Sequence, residues 1–300
     1  MIKPQNPPHR HHYIPRFYLR EWTGPDAQLE RYTKPIASKL EIKRVSTKAV
    51  GWWDDLYRAP ENDPHKDQFL ELGFFQNLDD RTARVLRKLN QTPIPTLSAE
   101  EISIWSTFLM SLMHRTPEGL AAYKESAARI YDETVPELRS RYAELREPDD
   151  PETVEEYEAS LTDQDRERAL MRNLVGAIAN AKIGSFLNRL HWMALDRPDG
   201  FPDYLLSDDP LARTNGLKKP DGHIAIPVSP TRLAIGVYEE DFLAELRRMK
   251  PAELIASMNR STVEGARHFV VAPDRRQTRF IANRFGANLR PGLARDNRFR

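Results

Sequence analysis

The chain of 300 residues is 40% hydrophobic and 30% charged, a balance typical of globular proteins that bury a core beneath a polar surface. Its net charge of +1 excludes a strongly basic nucleic-acid binder, and the lack of cysteine excludes disulfides, zinc ribbons and thiol nucleophiles. No apolar run reaches the ~18 residues that span a bilayer and no signal-peptide core opens the chain, so a cytoplasmic protein without a membrane segment is expected.

The first predicted element is the histidine-rich segment over residues 9–20, HRHHYIPRFYLR, which holds three of the eight histidines. Histidine is the side chain that gains or loses a proton, or binds a metal, near neutral pH. Apolar and aromatic residues follow the histidines directly, beginning with Tyr13 and Ile14. We therefore expect a site held on a packed scaffold.

Two alternating segments come next. Residues 28–34 and 40–45 alternate between apolar and polar side chains, which predicts two strands that pair as a hairpin. The aromatic group of Trp52, Trp53 and Tyr57 is interpreted as core. A helical period begins at about residue 66.

The middle of the chain is predicted to be helical. Ser98 and Glu101 form a capping box before a helix that ends at residue 114, and its wide apolar face predicts a central position. Thr116 with Pro117 predicts another helix start, as do residues 150–151. A long helix is expected from about residue 163, with its apolar stripe reaching residue 186.

Strand patterns return after this helical region, with one last helix predicted over residues 251–265. Strands at both ends around a helical middle favour an α+β fold, with a single domain over residues 11–272. The predicted strands lie at 192–195, 204–206, 223–228, 232–237 and 269–272.

Arginine is concentrated at the end of the chain, where residues 275–300 contain eight arginines. The basic segment over 273–300 is predicted either to be a solvated tail or to contribute to a basic surface. Arg10, Arg16 and Arg20 would form part of such a surface. It would attract the phosphates of a nucleic acid.

Several motifs together resemble a widespread microbial family known as a domain of unknown function. They are HHYIPRFYLREW near the start, HRTP after the buried helix, LLSDDP, and IPVSP, and they cover residues 11–268. The family is marked by an H-Y-x-P-x-F-x-L-R motif, whose histidine matches His12, so that His9 and His11 are additional here. The family's S-D-x-P motif matches residues 207–210. The resemblance implies the extent of the domain and no established activity.

The two most specific motifs supply the candidate site residues. His12 is interpreted either as a general base or metal ligand, or as a buried histidine that orders the N-terminus. Asp208 and Asp209 follow a predicted strand, where carboxylates can face a cleft, but Ser and Asp before Pro also form turns. Arg115 either clamps a phosphate or carboxylate, or satisfies the carbonyls at the end of its helix.

Two functions from different classes follow from these residues. The first is a metal-assisted phosphodiester hydrolase, nuclease-like, in which His12, Asp208 and Asp209 hold a divalent ion and Arg115 stabilises the phosphoryl oxygens. The second is a non-catalytic binding or regulatory module with a structural histidine motif. No P-loop, dinucleotide, zincin or nucleophile-elbow motif is found in the sequence. The sequence favours the hydrolase slightly, because the polar residues of these motifs are those that perform chemistry.

Overall fold

The structure is a computed structural model, and it describes residues 9–36, 39–59, 67–91, 96–214 and 216–289. Within these ranges the strands are β1 (Arg10–His12), β2 (Gln28–Ile36), β3 (Lys39–Ser46), β4 (Trp52–Asp54), β5 (His191–Asp196), β6 (Leu206–Ser207), β7 (Ala212–Arg213), β8 (His223–Ser229), β9 (Arg232–Val237) and β10 (Val270–Ala272). The α-helices are α1 (Arg16–Leu19), α2 (Gln76–Leu89), α3 (Ala99–His114), α4 (Pro117–Leu145), α5 (Val154–Ser160), α6 (Asp163–Ile178), α7 (Ala181–Asn188), α8 (Glu240–Arg248), α9 (Pro251–Gly265) and α10 (Thr278–Arg284). A π-helix, Leu70–Phe75, runs directly into α2.

Strands from both ends of the chain share one antiparallel sheet. Its order is β3-β2-β10-β6, and β10 pairs with β2 so that Val270 lies opposite Tyr32. β2 and β3 form the predicted hairpin, in which Leu29 lies opposite Val45. Because the helical middle of the chain lies between the strands that meet in this sheet, the α+β prediction is confirmed.

A second antiparallel sheet, ordered β5-β9-β8-β7, is covered on both faces. Successive side chains of a strand point to opposite faces. Ile224 and Ile226 of β8 therefore join the main core, while Ala225 joins a smaller cluster with Leu243 of α8 and Ile255 of α9. This double burial explains why β8 and β9 have almost continuous apolar sequences.

α3 lies at the centre of the main core, as its sequence predicts. The Ser98 hydroxyl accepts a hydrogen bond from the backbone N–H of Glu101, whose side chain accepts one in return from the backbone N–H of Ser98. Trp105 is 1% exposed and packs against Trp192 of β5, with ring centres 6.2 Å apart. The helix thereby joins the second sheet to the rest of the core.

The structure corrects two of the predicted helices. α5 begins after Thr153, because the Asp150 carboxylate accepts from the backbone N–H of Glu147 and closes a turn there. The long helix expected from residue 163 is two helices, since α6 ends at Ile178 and Asn180 caps α7 through the N–H of Ile183.

The C-terminal part of the chain contains helices that the sequence did not predict. α8 and α10 have no counterpart among the predicted elements, and α10 makes the described part of the basic segment a folded one. Arg275 pairs with Glu30 of β2 at 3.1 Å, and Arg276 pairs with Asp203 at 2.9 Å. A solvated tail therefore does not apply to residues 273–289, and residues 290–300 lie outside the described part. No described helix is both long and apolar enough to cross a bilayer.

Candidate functional site

The histidines of the N-terminal motif lie on a two-stranded ribbon of β1 and β4, where His11 faces Trp53 and His12 faces Trp52. His11 is fully buried. Its Nδ1 accepts from the backbone N–H of Tyr57 at 3.0 Å, and its ring stacks on that tyrosine at 5.4 Å. His11 is therefore a structural residue that orders the segment after β4.

His12 points to the opposite side of the ribbon from His11 and is partly buried among cations. Burial lowers the pKa of His12 to about 4, and the charges of Arg16, Arg115 and Arg10 act in the same direction. Within the described residues its Nε2 is buried and has no hydrogen-bond partner. The ring is therefore neutral at pH 7, which is the form that accepts a proton or binds a metal. The surrounding positive charge opposes the binding of any further cation.

Arg115 is 1% exposed and joins three elements at the end of α3. Its two Nη atoms donate to the Asp79 carboxylate of α2 at 2.8 and 3.2 Å, and one of them also donates to the carbonyl of His12 at 2.9 Å. The Arg115 carbonyl accepts from the Tyr57 hydroxyl. These contacts engage the guanidinium inside the protein, and a clamp on a phosphate or carboxylate of a ligand stays a prediction.

Glu71 is a further polar group at this cluster, and it was not among the predicted site residues. It lies in the π-helix, a type of distortion frequent at functional sites. Burial raises its pKa to about 7, against the opposing charge of Arg115. Its Oε2 is buried and has no partner among the described residues. The sequence did contain a signal for Glu71, since it is the one carboxylate within the otherwise apolar segment LELGFF.

The S-D-D-P motif follows β6, and its first aspartate is buried. Asp208 is 3% exposed, and its carboxylate accepts from the backbone N–H groups of Arg267 at 3.0 Å and Phe269 at 3.1 Å. Burial raises the pKa of Asp208 to about 6, although these hydrogen bonds favour the charged form. Asp209 is partly exposed, and its backbone N–H donates to the Ser207 hydroxyl at 3.2 Å. The motif thus fixes the chain before β10.

Beside Asp208, His268 forms a carboxylate–imidazole pair with Glu118 of α4. Nε2 of His268 lies 2.6 Å from Oε1 of Glu118, and the two side chains are 33% and 35% exposed. The hydrogen bond with Glu118 raises the pKa of His268, and the charge of Asp208 adds to this effect. The ring centre of Trp53 lies 6.0 Å from that of His268, and Trp53 is 50% exposed. Trp53 is therefore not the core residue that the sequence predicts.

Tyr13 connects the N-terminal motif to this pair. It is 3% exposed, and its ring centre lies 6.3 Å from those of His268 and Phe269. Burial raises the pKa of Tyr13, as do the negative charges of Asp208 and Glu118. The N-terminal histidine motif and the S-D-D-P motif thus come together at Tyr13.

Comparison with known proteins matches the chain to a family model described as a protein of unknown function (DUF4238), over residues 10–276. The chain belongs to this family. No curated protein matches it, and no solved structure does. The DUF4238 match begins at β1 and ends after β10, and it therefore includes the ribbon, Arg115, Asp208 and the His268 pair.

In this DUF4238 protein, the four predicted site residues lie in two neighbouring groups. His12 and Arg115 are together, joined by the hydrogen bond to the His12 carbonyl. Asp208, which Asp209 follows in the chain, lies near His268 and Glu118, two residues that the sequence did not single out as a pair. The role of Glu118 could not be predicted from the sequence, because acidic residues are common in the first turn of a helix.

The predicted metal site has no counterpart in the arrangement of these side chains. Across residues 9–36, 39–59, 67–91, 96–214 and 216–289, no group of three or more His, Cys, Asp or Glu side chains is placed to hold a metal ion. A divalent ion bound by His12, Asp208 and Asp209 stays a prediction.

Proposed function

We propose that this DUF4238 protein hydrolyses phosphodiesters, with His268 as its acid–base group. The observation that carries the proposal is the 2.6 Å contact between His268 and Glu118 at a partly exposed position. A carboxylate bonded to one ring nitrogen fixes the orientation of the imidazole and leaves the other nitrogen for the substrate. Here Nε2 faces Glu118, so Nδ1 is the nitrogen that acts.

His268 acts as the proton donor in this proposal. Glu118 and Asp208 raise its pKa, so the imidazolium form persists to higher pH than in an isolated histidine. An oxygen of water bonds to phosphorus while the bond from phosphorus to the leaving oxygen breaks. The Nδ1 proton of His268 passes to that leaving oxygen, and the attacking water releases its proton to solvent. Glu118 stabilises the imidazolium before transfer.

The surroundings of His268 favour a single-stranded nucleic acid as the substrate. The exposed ring of Trp53 offers a face on which a base can stack, an interaction worth roughly 1–3 kcal/mol per base. The exposed Arg267 adds positive charge beside His268, which attracts a phosphate. The nucleic-acid partner and the cytoplasmic location predicted from the sequence belong to this proposal.

A divalent ion on His12, Asp208 and Asp209 is a separate part of the hypothesis. Such an ion would activate water and offset charge on the phosphoryl group. The arginines around His12 and the use of Asp208 as an acceptor of backbone hydrogen bonds both oppose a cation there. If activity requires Mg²⁺ or Mn²⁺ and is lost in His12→Gln, this would support binding of a divalent ion at His12.

The second candidate is a non-catalytic binding module, and the burial of the motif residues favours it. His11, Arg115 and Asp208 are each 3% exposed or less and are engaged in contacts within the protein. In this case Trp53 and His268 bind a nucleic acid without turnover. The two candidates differ in whether bound oligonucleotide is cleaved.

The experiment compares cleavage and binding of a fluorescent single-stranded oligonucleotide, with and without divalent ions. We expect His268→Gln to slow cleavage by about 100-fold or more, the usual contribution of a positioned acid, and Glu118→Gln to slow it as well. The matched control is His191→Gln, since His191 is an exposed histidine of β5. Binding without cleavage in the wild type supports the binding module instead, and equal rates in all variants overturn the role of His268.

A further inference from the structure

A cavity of about 200 Å³ is lined by residues other than those of the proposed catalytic site. It is lined by Phe186 of α7, Arg189 just after that helix, Lys218 in the segment between β7 and β8, and Tyr238 just after β9. Two aromatic rings and two cations thus converge from three separate segments of the chain. The cavity is unrelated to the motifs that the sequence singled out.

The walls of the cavity are held in place by hydrogen bonds and packing. The rings of Phe186 and Tyr238 stack with centres 5.8 Å apart and planes 23° from parallel. The backbone N–H of Tyr238 donates to the carbonyl of Gly222 at 3.0 Å, which ties β9 to the segment that carries Lys218. A Cβ atom on Gly222 would lie 2.2 Å from the Leu217 carbonyl oxygen, so this turn requires glycine. A site fixed in advance loses little entropy when it binds a ligand.

Both charged residues that line the cavity are cations. Arg189 and Lys218 are both exposed, and Nζ of Lys218 lies 5.9 Å from the ring centre of Phe186. Across the part of the chain that the structure describes, neither cation forms an ion pair with a carboxylate. Two unpaired cations at an aromatic surface complement an anion that carries an aromatic ring of its own.

We propose that this cavity binds a nucleoside monophosphate. Its base would stack on the exposed face of Tyr238, which is 39% exposed, and its phosphate would lie between Lys218 and Arg189. The volume is below the roughly 300–1,000 Å³ of sites that enclose drug-sized ligands, so the nucleotide would be only partly enclosed, with its base at the surface. The proposal does not rest on the hydrolase hypothesis, because the two use different residues.

Isothermal titration of the full chain with adenosine monophosphate, adenosine and ribose 5-phosphate tests the proposal. We expect the nucleotide to bind more tightly than either of its parts. The double variant Arg189→Ala with Lys218→Ala should weaken nucleotide binding by about tenfold or more and leave adenosine binding unchanged. Tyr238→Ala should weaken binding of both ligands that carry the base, whereas Tyr238→Phe, which keeps the ring, should retain it.

The control is Lys219→Ala, an exposed lysine next to the cavity that does not line it. It should bind the nucleotide as the wild type does. Far-UV circular dichroism establishes that each variant is folded, which is expected because the replaced cations are exposed. The proposal is overturned if no nucleotide binds at millimolar concentration, or if the double variant binds as tightly as the wild type. It is also overturned if binding is lost in Trp53→Ala and His268→Gln but kept in the cavity variants, which would assign the nucleotide to the catalytic site.

Discussion

Arg115 and Asp79 form a two-point ion pair in which one partner is completely enclosed. The Nη–Oδ distances are 2.8 and 3.2 Å, and the Arg115 side chain is 1% exposed while that of Asp79 is 22% exposed. The guanidinium also lies 4.4 Å from the ring centre of Phe75. The pair therefore holds α2, α3 and the histidine ribbon together.

Arg115→Leu should destabilise the protein by ~3–5 kcal/mol, because removing one partner leaves a carboxylate and the His12 carbonyl without a donor. Chemical denaturation measures this change. Arg141→Leu is the matched control, since its ion pairs with Glu137 and Glu144 are exposed and should contribute less than ~1 kcal/mol. Equal losses in the two variants would contradict a structural role for Arg115.

Trp105→Ala should cost ~3–5 kcal/mol, the range for truncating a buried aromatic side chain. Trp105 contacts Phe108 and Trp192, so the loss affects the contact between α3 and the second sheet. Ile130→Ala, at an exposed position of α4, should change stability by less than ~1 kcal/mol. A loss below about 1 kcal/mol for Trp105→Ala would mean that α3 is not central.

His12 should make stability depend on pH with a defined sign. Its pKa is about 4 in the folded protein and 6.5 in the unfolded chain, so its contribution is complete above pH 6.5 and is lost as the pH falls towards 4. The loss amounts to as much as about 3 kcal/mol. The stability difference between wild type and His12→Gln should therefore shrink between pH 7 and pH 4.5 in urea denaturation.

Asp208 should show the opposite dependence. Its folded pKa is raised from 3.8 to about 6, so its contribution is complete below pH 3.8 and is lost as the pH rises through 6. The stability difference between wild type and Asp208→Asn should shrink as the pH rises across this window. Asp209→Asn removes the neighbouring carboxylate of the same motif, at a partly exposed position, and serves as the comparison variant. A stability difference between wild type and Asp208→Asn that is the same at every pH would contradict the raised pKa.

Much of the fold was predictable because its signals are local. The capping box at Ser98, the proline start at Pro117 and the alternation of β2, β3, β8 and β9 each depend on neighbouring residues, and each is present in the structure. The break at Asn180 was missed because the apolar stripe continues across it, although the polar cap interrupts the helix. Strand order and the pairing of β10 with β2 depend on contacts far apart in sequence.

The candidate site was less predictable than the fold. The motifs did point to His12, Arg115 and Asp208, and the structure places the last two in the protein interior. The pairing of His268 with Glu118 joins residues 150 positions apart, and neither residue belongs to a pattern with a recognisable spacing. The exposure of Trp53 was equally difficult to predict. A run of aromatic residues normally indicates burial, and the side of the β1–β4 ribbon on which Trp53 lies depends on a pairing that the sequence does not show.

The pH dependence of oligonucleotide cleavage is the most direct test of the central claim that His268, held by Glu118, is the acid. The rate constant kcat/KM should fall at high pH as His268 loses its proton, and the Glu118 hydrogen bond raises the pKa at which this happens. Glu118→Gln should therefore move the descending limb of the profile to lower pH, while His268→Gln should abolish it. A descending limb at the same pH in wild type, Glu118→Gln and His268→Gln would contradict the account.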